Sequence, residues 1–255
     1  MKITALGVSS AYPKAGGACS GWLVRQDDAN LLVDCGTGVL SNLQKIIPFQ
    51  AVTAIIITHL HADHFLDLVP FRFALKYGLP PEQRSRPLLY LPPDGCGKLD
   101  EFAEHFDSSD SLGFFSSIFN VQEYQANVPF HVRALLVETA PVVHYVPAFA
   151  VAICTDKKVV FSGDTGPCEE LVKFAEGADL MICEATDSRE EVSQVGLRGH
   201  LTPEEAGDAA RRAGVKRLLI THLWPHRDMD KVLSLTVQSF GPNAELAEEG
   251  KSYIL

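Results

Sequence analysis

No stretch of this 255-residue chain is long and apolar enough to span a bilayer as a helix. The longest apolar runs, such as residues 54–57 and 218–220, fall far short of the roughly 18 residues a membrane span needs. The first residues carry no extended apolar segment of signal-peptide type. Basic residues are outnumbered, 22 Lys and Arg against 32 Asp and Glu, for a formal charge of −10. That deficit argues against a protein that coats long nucleic acid, because neutralising phosphates takes a basic face. It does not argue against a small anion, which responds to local field. None of the six cysteines (19, 35, 96, 154, 168 and 183) stands in a CxxC pair. Several lie in apolar, strand-like runs, a pattern that suits reduced thiols in a cytoplasm better than a disulfide framework. No linker, low-complexity tract or block of like charge interrupts the chain, so residues 1–255 read as one domain.

What is present is 46% hydrophobic and 21% charged, as in an ordinary globular protein. Strand and helix signals alternate. Short strands are expected over 3–8, 21–24, 30–34, 53–58, 87–91, 118–123 and 131–137, then a hairpin over 146–154 and 159–162, and strands over 179–183, 216–221 and 252–255. Helical spacing covers 39–46, 65–77, 98–106, 169–175 and 229–240. The best-specified helix opens with Thr202-Pro203-Glu204-Glu205, which places Thr at the N-cap, Pro at the first helical position and Glu at the third, a capping box. Gly214 falls where that helix should end. Two strand ends echo each other, residues 55–60 (IIITHL) and 218–223 (LLITHL), each delivering a histidine after an apolar strand.

Three of the nine histidines fall within six residues, His59-Leu60-His61-Ala62-Asp63-His64. Alternate residues at a strand exit can face a common centre, and Asp63 and His64 add two more ligand types at the next turn. Imidazole and carboxylate suit Zn²⁺ and also Mn²⁺ or Fe. One ion cannot easily use all four groups, so two ions are the better expectation. Further ligands must come from other strand ends, and His144, Asp164 and His222 are the candidates.

With Asp34 in Leu-Val-Asp-Cys-Gly, Asp164 in Ser-Gly-Asp-Thr and His222 in Ile-Thr-His, this motif set resembles the metallo-β-lactamase superfamily of hydrolases, in the right order over nearly the whole chain. Gly199-His200-Leu201-Thr202 and the capped helix are similar to the RNase Z-like branch. The resemblance implies an α/β fold, a four-layer αββα sandwich with the site at one edge. It implies that His59, His61 and His144 bind one ion, that Asp63, His64 and His222 bind the other, and that Asp164 bridges both. Asp34 would stand behind a ligand histidine and fix its tautomer. His200 would protonate the leaving group or stabilise phosphate charge, assisted by Glu184, and Asp63 is counted with these two in the catalytic group.

The chemistry expected of such a centre is hydrolysis through a hydroxide held between two ions. Small phosphodiesters are the preferred substrates. Alternatives are tRNA 3′-end cleavage, thioester or lactone hydrolysis, and a non-catalytic metal-binding module. By the same resemblance, enzymes of this family that process tRNA ends usually carry a long flexible arm, placed between the equivalents of His144 and Asp164. Here that interval is filled by one hairpin, which disfavours RNA. Two divalent ions, two carboxylates and one hydroxide leave the site net positive inside an acidic protein. The expected partner is therefore a small anionic ester, with no membrane and possible self-association as a homodimer. The phenylalanines of residues 112–119 are open to two readings, an apolar lid or contact surface and ordinary core packing. His105, His131 and His226 are expected at the surface, and Cys35 lies close enough to the site for oxidation to be considered.

Overall fold

The computed structural model describes residues 1–105, 113–190, 192 and 198–255. Two sheets form the centre. One contains β1 (Lys2–Gly7), β2 (Gly21–Gln26), β3 (Ala29–Val33), β4 (Ala54–Ile56), β5 (Leu88–Leu91), β6 (Asn120–Glu123) and β14 (Ser252–Ile254), in the order β14-β1-β2-β3-β4-β5-β6. The other contains β7 (Phe130–Val132), β8 (Leu135–Val142), β9 (Ala148–Cys154), β10 (Lys158–Phe161), β11 (Leu180–Glu184), β12 (Leu218–Thr221) and β13 (Ala244–Leu246), in the order β13-β12-β11-β10-β9-β8-β7. Helices α1 (Val39–Leu43), α2 (Ala62–Phe65), α3 (Leu68–Tyr77) and α4 (Gly95–Ala103) belong to the first half. Helices α5 (Glu169–Phe174), α6 (Pro203–Arg212) and α7 (Met229–Phe240) belong to the second.

The layering follows from the two-residue period of a strand, which sends successive side chains to opposite faces. In β3, Leu31 and Val33 enter the core between the sheets while Leu32 faces the other way. In β10, Val159 and Phe161 point inward and Val160 outward, and in β12 Leu219 points inward while Leu218 and Ile220 point outward. The outward apolar sets need cover. On the first sheet Leu6, Leu23, Leu32, Ile55 and Leu89 receive Val39, Leu43, Leu68, Phe71 and Leu99 from the helices. On the second sheet Val160, Met181, Leu218 and Ile220 receive Leu171, Ala206, Ala210 and Val232. The result is the αββα sandwich.

Several boundaries differ from expectation. The helical signal over 65–77 is two helices, α2 and α3, with Leu66 and Asp67 between them. The strand expected over 131–137 is the end of one strand and the start of the next, since residues 133–134 turn and β7 pairs antiparallel with β8. β13 was not anticipated; three residues with one buried side chain leave little periodic signal. Of the 112–119 stretch Leu112 lies outside the described residues, as does Phe106 at the end of the helix expected over 98–106. Of the remainder, Phe114, Phe115 and Phe119 are buried in the helix-sheet core, so core packing is the reading that holds. Buried Arg72 helps seat them: its Nε donates to the Phe114 carbonyl at 2.6 Å and its guanidinium lies 3.9 Å from the centre of the Phe114 ring. All six thiols are free. No described helix is long and apolar enough to cross a membrane.

Candidate metal centre

Strands of both sheets end on one edge, and the functional candidates follow those ends. Asp34 follows β3, His59 lies beyond β4, Asp164 follows β10, Glu184 closes β11 and His222 follows β12. His144 sits in the turn between β8 and β9. Asp34 and His222 have left-handed backbones, φ 62° and 56°, unusual for residues other than glycine. Such strain persists only where the surroundings over-determine it, and it clusters at functional sites. Gly36 must be glycine for a different reason. A Cβ there would lie 1.8 Å from the Asp63 carbonyl oxygen, so the loop after β3 packs directly on the segment bearing Asp63 and His64. The His64 carbonyl accepts from the Cys35 amide at 2.7 Å, locking the two together.

The hydrogen bonds decide which imidazole nitrogens are left bare. Asp34 Oδ1 accepts the Thr58 amide at 2.8 Å, and Oδ2 accepts the Thr58 hydroxyl at 3.0 Å and His64 Nδ1–H at 2.8 Å. With its proton committed to Asp34, the Thr58 oxygen can only accept from His59 Nδ1, 3.1 Å away. Thr186 repeats the device: its hydroxyl donates to the His222 carbonyl and so accepts from His222 Nδ1, both at 2.8 Å. His144 Nδ1 donates to the Gly199 carbonyl at 2.7 Å. In their neutral forms His59, His64, His144 and His222 therefore carry no proton on Nε2. These Nε2 atoms surround one oxygen, Asp164 Oδ2, at 3.6, 3.3, 4.0 and 3.5 Å.

His64 Nε2 lies 3.2 Å from His222 Nε2, two lone pairs that repel in the neutral rings unless a positive group sits between them, and His144 Nε2 lies 3.1 Å from His61 Nδ1. His59 Nε2 is buried with no hydrogen-bond partner, a costly condition for a polar atom unless a ligand completes it. The donor atoms fall into groups whose members lie within 4.8 Å of one another: His59, His61, His144 and Asp164; Asp63, His64 and His222; and Asp164, His200 and His222. This orphaned, mixed nitrogen and oxygen donor set fits divalent cations.

Electrostatics agree with that fit. Burial, reinforced by neighbouring imidazoles, keeps His59 well below its ordinary pKa, and burial likewise lowers His61 and His144. Burial would discharge Asp164, but His222, His64 and His59 outweigh it and hold the carboxyl well below the usual range. Burial also opposes the charge on His64, yet Asp164 and Asp34 raise it well above its ordinary value. The same negative field attracts any cation. Asp63 accepts the Ala11 amide at 2.8 Å and faces His222 Nε2 at 3.2 Å.

Beside this cluster stands His200. Its Nδ1 lies 2.9 Å from Glu184 Oε1, and Glu184 is fully buried, its oxygens fixed by the Thr165 and Thr186 amides at 2.8 and 3.0 Å. Burial works against the charged ring, but the Glu184 hydrogen bond and charge prevail and lift His200 to about 9. Gly199 permits this crowding: a Cβ would come within 2.4 Å of the Tyr145 ring and 2.8 Å of His144 Nδ1. Every candidate named from sequence therefore lies in this cluster. The sequence reading missed Thr58, Thr186, the Gly199 carbonyl and the Ala11 amide. The echoed Thr-His pairs at 58–59 and 221–222 carried a partial signal, since Thr58 does orient His59, but it is Thr186 rather than Thr221 that orients His222. His105, His131 and His226 are exposed. Cys35 is fully buried, and burial followed by Asp67 and Asp34 pushes its thiol well above its ordinary value, which leaves it poorly placed for oxidation.

Residues 29–223 match the model of the beta-lactamase superfamily domain. The probable metallo-hydrolase YhfI of Bacillus subtilis is 30% identical over 229 aligned residues, 89% of this chain and 88% of that protein. Its crystal structure superposes with a TM-score of 0.87, covering 99% of this chain and 98% of that one at 27% identity. A ribonuclease Z of Ignicoccus hospitalis is 31% identical over an alignment of 271 residues, 87% of this chain and 87% of that protein. The longer alignment for a similar share of this chain means that the ribonuclease carries inserted segments which YhfI lacks. By fold, by the domain it matches and by its gathered donor set, the chain belongs to the metallo-β-lactamase superfamily, in the RNase Z-like branch, and is a metal-dependent hydrolase.

Proposed function

We propose that this protein is a phosphodiesterase for small diesters, working with two divalent ions. His59, His61 and His144 would hold one, Asp63, His64 and His222 the other, and Asp164 both. Zinc is the default for so many imidazoles, with manganese and iron chemically admissible. Bound there, the ions would clamp the phosphate oxygens and make water nucleophilic at neutral pH. The remaining work falls to the chain. Thr58, Asp34, Thr186 and the Gly199 carbonyl hold His59, His64, His222 and His144 each in one tautomer. Glu184 holds His200 so that the imidazole can deliver a proton to the departing oxygen.

The observation that carries the reading is half-buried His200, held by buried Glu184 against the ligand cluster, with a His200 ring nitrogen within 4.8 Å of the Asp164 and His222 donor atoms. An alkoxide leaving a phosphodiester needs a proton far more than a thiolate leaving a thioester does. The small hairpin of β9 and β10, which fills the interval after His144, supports a compact substrate over tRNA. So does the near gap-free alignment with YhfI. The test is hydrolysis of bis(p-nitrophenyl) phosphate by metal-loaded protein. His59→Ala and Asp164→Ala should abolish it, and activity that survives both substitutions overturns the proposal. Cleavage of precursor tRNA at comparable efficiency would favour the ribonuclease Z reading instead, which the 31% identity to that enzyme keeps in view.

A further inference from the structure

The metal cluster has a rim of aromatic rings that the chemistry above does not use. Tyr12 is 48% exposed and Tyr145 60% exposed; Tyr12 follows Ala11, whose amide donates to Asp63, and Tyr145 follows His144. Tyr145 lies 5.1 Å from the His144 ring and 6.0 Å from His200, on the proton-donor side. Tyr12 is on the Asp63 side. Its ring centre is 5.9 Å from that of Trp224, tilted by 44°, and Trp224 stacks on His226 at 6.0 Å and 29°.

The backbone builds this group deliberately. The Ser10 amide donates to the Leu223 carbonyl at 3.1 Å and the Leu223 amide to the Val8 carbonyl at 3.2 Å, so the segment before Tyr12 is paired with the one before Trp224. Ala11 takes a left-handed backbone, φ 53°, which turns its amide onto Asp63. Tyr12 therefore follows one residue after a contact to the cluster, and Trp224 two residues after His222. Each ring residue precedes a proline, Pro13 and Pro225, which narrows its backbone freedom. Rings held in place before binding lose little entropy on contact.

We propose that Tyr12 and Trp224, flanked by His226, form a stacking shelf for the base of a nucleoside phosphodiester, a substrate assignment that rests on the phosphodiesterase reading. The rings are planar and have polar edges, as a base requires; an acyl chain would call for an aliphatic wall. With the phosphate at the ligand cluster and His200 at the leaving oxygen, the nucleoside lies over Tyr12 and Trp224. Stacking of one base on an aromatic side chain supports about a tenfold or larger change in affinity.

The test uses the metal-loaded full chain and two substrates, adenosine 3′,5′-cyclic phosphate and the same cyclic diester of methyl riboside, which has no base. The wild-type protein should prefer the first. Trp224→Ala and Tyr12→Ala should each lower the ratio of kcat/KM values about tenfold, while Trp224→Phe and Tyr12→Phe keep it within about threefold. A ratio near one in the wild type, or one that the alanine variants do not change, overturns the shelf and leaves the phosphodiesterase reading standing. So does a selective loss toward glycerophosphocholine, which would make the rings a quaternary-ammonium site. If neither cyclic diester is hydrolysed, the phosphodiesterase reading still rests on bis(p-nitrophenyl) phosphate, and the shelf is judged by binding. Trp22 is buried between the sheets, so quenching by adenosine 5′-monophosphate reports on Trp224. Saturable quenching whose affinity falls about tenfold in Tyr12→Ala sustains the shelf; no quenching in the wild type, or an affinity that Tyr12→Ala leaves unchanged, overturns it.

Discussion

His59, His64, His144 and His222 are each committed at Nδ1 to a named partner, and that commitment is what makes Nε2 useful. Gly199 illustrates how little freedom remains. Gly199→Ala would push a methyl group onto the Tyr145 ring and His144 Nδ1. Tyr145 can swing into solvent, whereas His144 would lose its hydrogen bond to the carbonyl. Metal bound per chain, measured by elemental analysis after dialysis at limiting metal, should fall severalfold, since the partners behind metal ligands typically contribute 10–100-fold in affinity. His200→Ala makes the complementary case. It should lower kcat by about 10²-fold or more on diesters with alkyl leaving groups. It should act far less on p-nitrophenyl esters, whose phenolate departs without a proton. Equal losses on both classes would show that His200 positions the phosphate rather than protonating the leaving group.

Two elements carry the site's supports. Helix α6 begins at a complete capping box: the Glu205 amide donates to Thr202 Oγ1, and the Thr202 amide donates to Glu205 Oε2 at 3.0 Å. Because His200 lies two residues before that cap, Thr202→Ala should cost about 1 kcal/mol of stability, seen as a lower urea midpoint, and should also reduce kcat. The second support is Asp179 at the entry to β11. It accepts from the Lys158 amide at 2.9 Å and from Lys216 Nζ at 2.8 Å, tying the ends of neighbouring strands. The Lys216 hydrogen bond, against the cost of burial, depresses its carboxyl below the ordinary value. A depressed folded-state pKa contributes stability above the unfolded value of about 3.9, and that stability is lost as pH falls through the folded value. Asp179→Asn should therefore lower stability by about 1 kcal/mol at pH 7. The difference from wild type should shrink as the pH drops below about 4, which urea melts across pH would display.

At the scale of the molecule, the cluster joins the two halves. His59, His61, His64 and Asp63 come from the first sheet's side, and His144, Asp164 and His222 from the second. Cations bound there would cross-link the sandwich, and a ligand that binds only the folded state stabilises it by mass action. Chelation should lower the melting temperature by several degrees, with recovery on adding back Zn²⁺ or Mn²⁺. The same treatment of a protein carrying Asp164→Ala should change it much less. With two divalent ions bound, the cluster would be locally positive inside a chain whose formal charge is −10, so a small anion and a long polyanion would meet opposite fields.

The strands, most helices, the capping box and the donor residues were legible in the chain because they depend on local order: two-residue alternation, helix-cap chemistry, and histidines spaced by two at a strand exit. Even the pairing of His59 with Thr58 is a neighbour effect. What the chain could not display is contact between residues far apart in it. Thr186 orients His222, Gly199 orients His144, and Ala11 caps Asp63 only because two sheets bring their strand ends to one edge. The burial of Glu184 and of Phe114, Phe115 and Phe119 has the same origin, since exposure belongs to the packed layers. Tyr12 and Trp224 are 212 residues apart in sequence, and only the pairing of residues 8–10 with 223 sets their rings side by side.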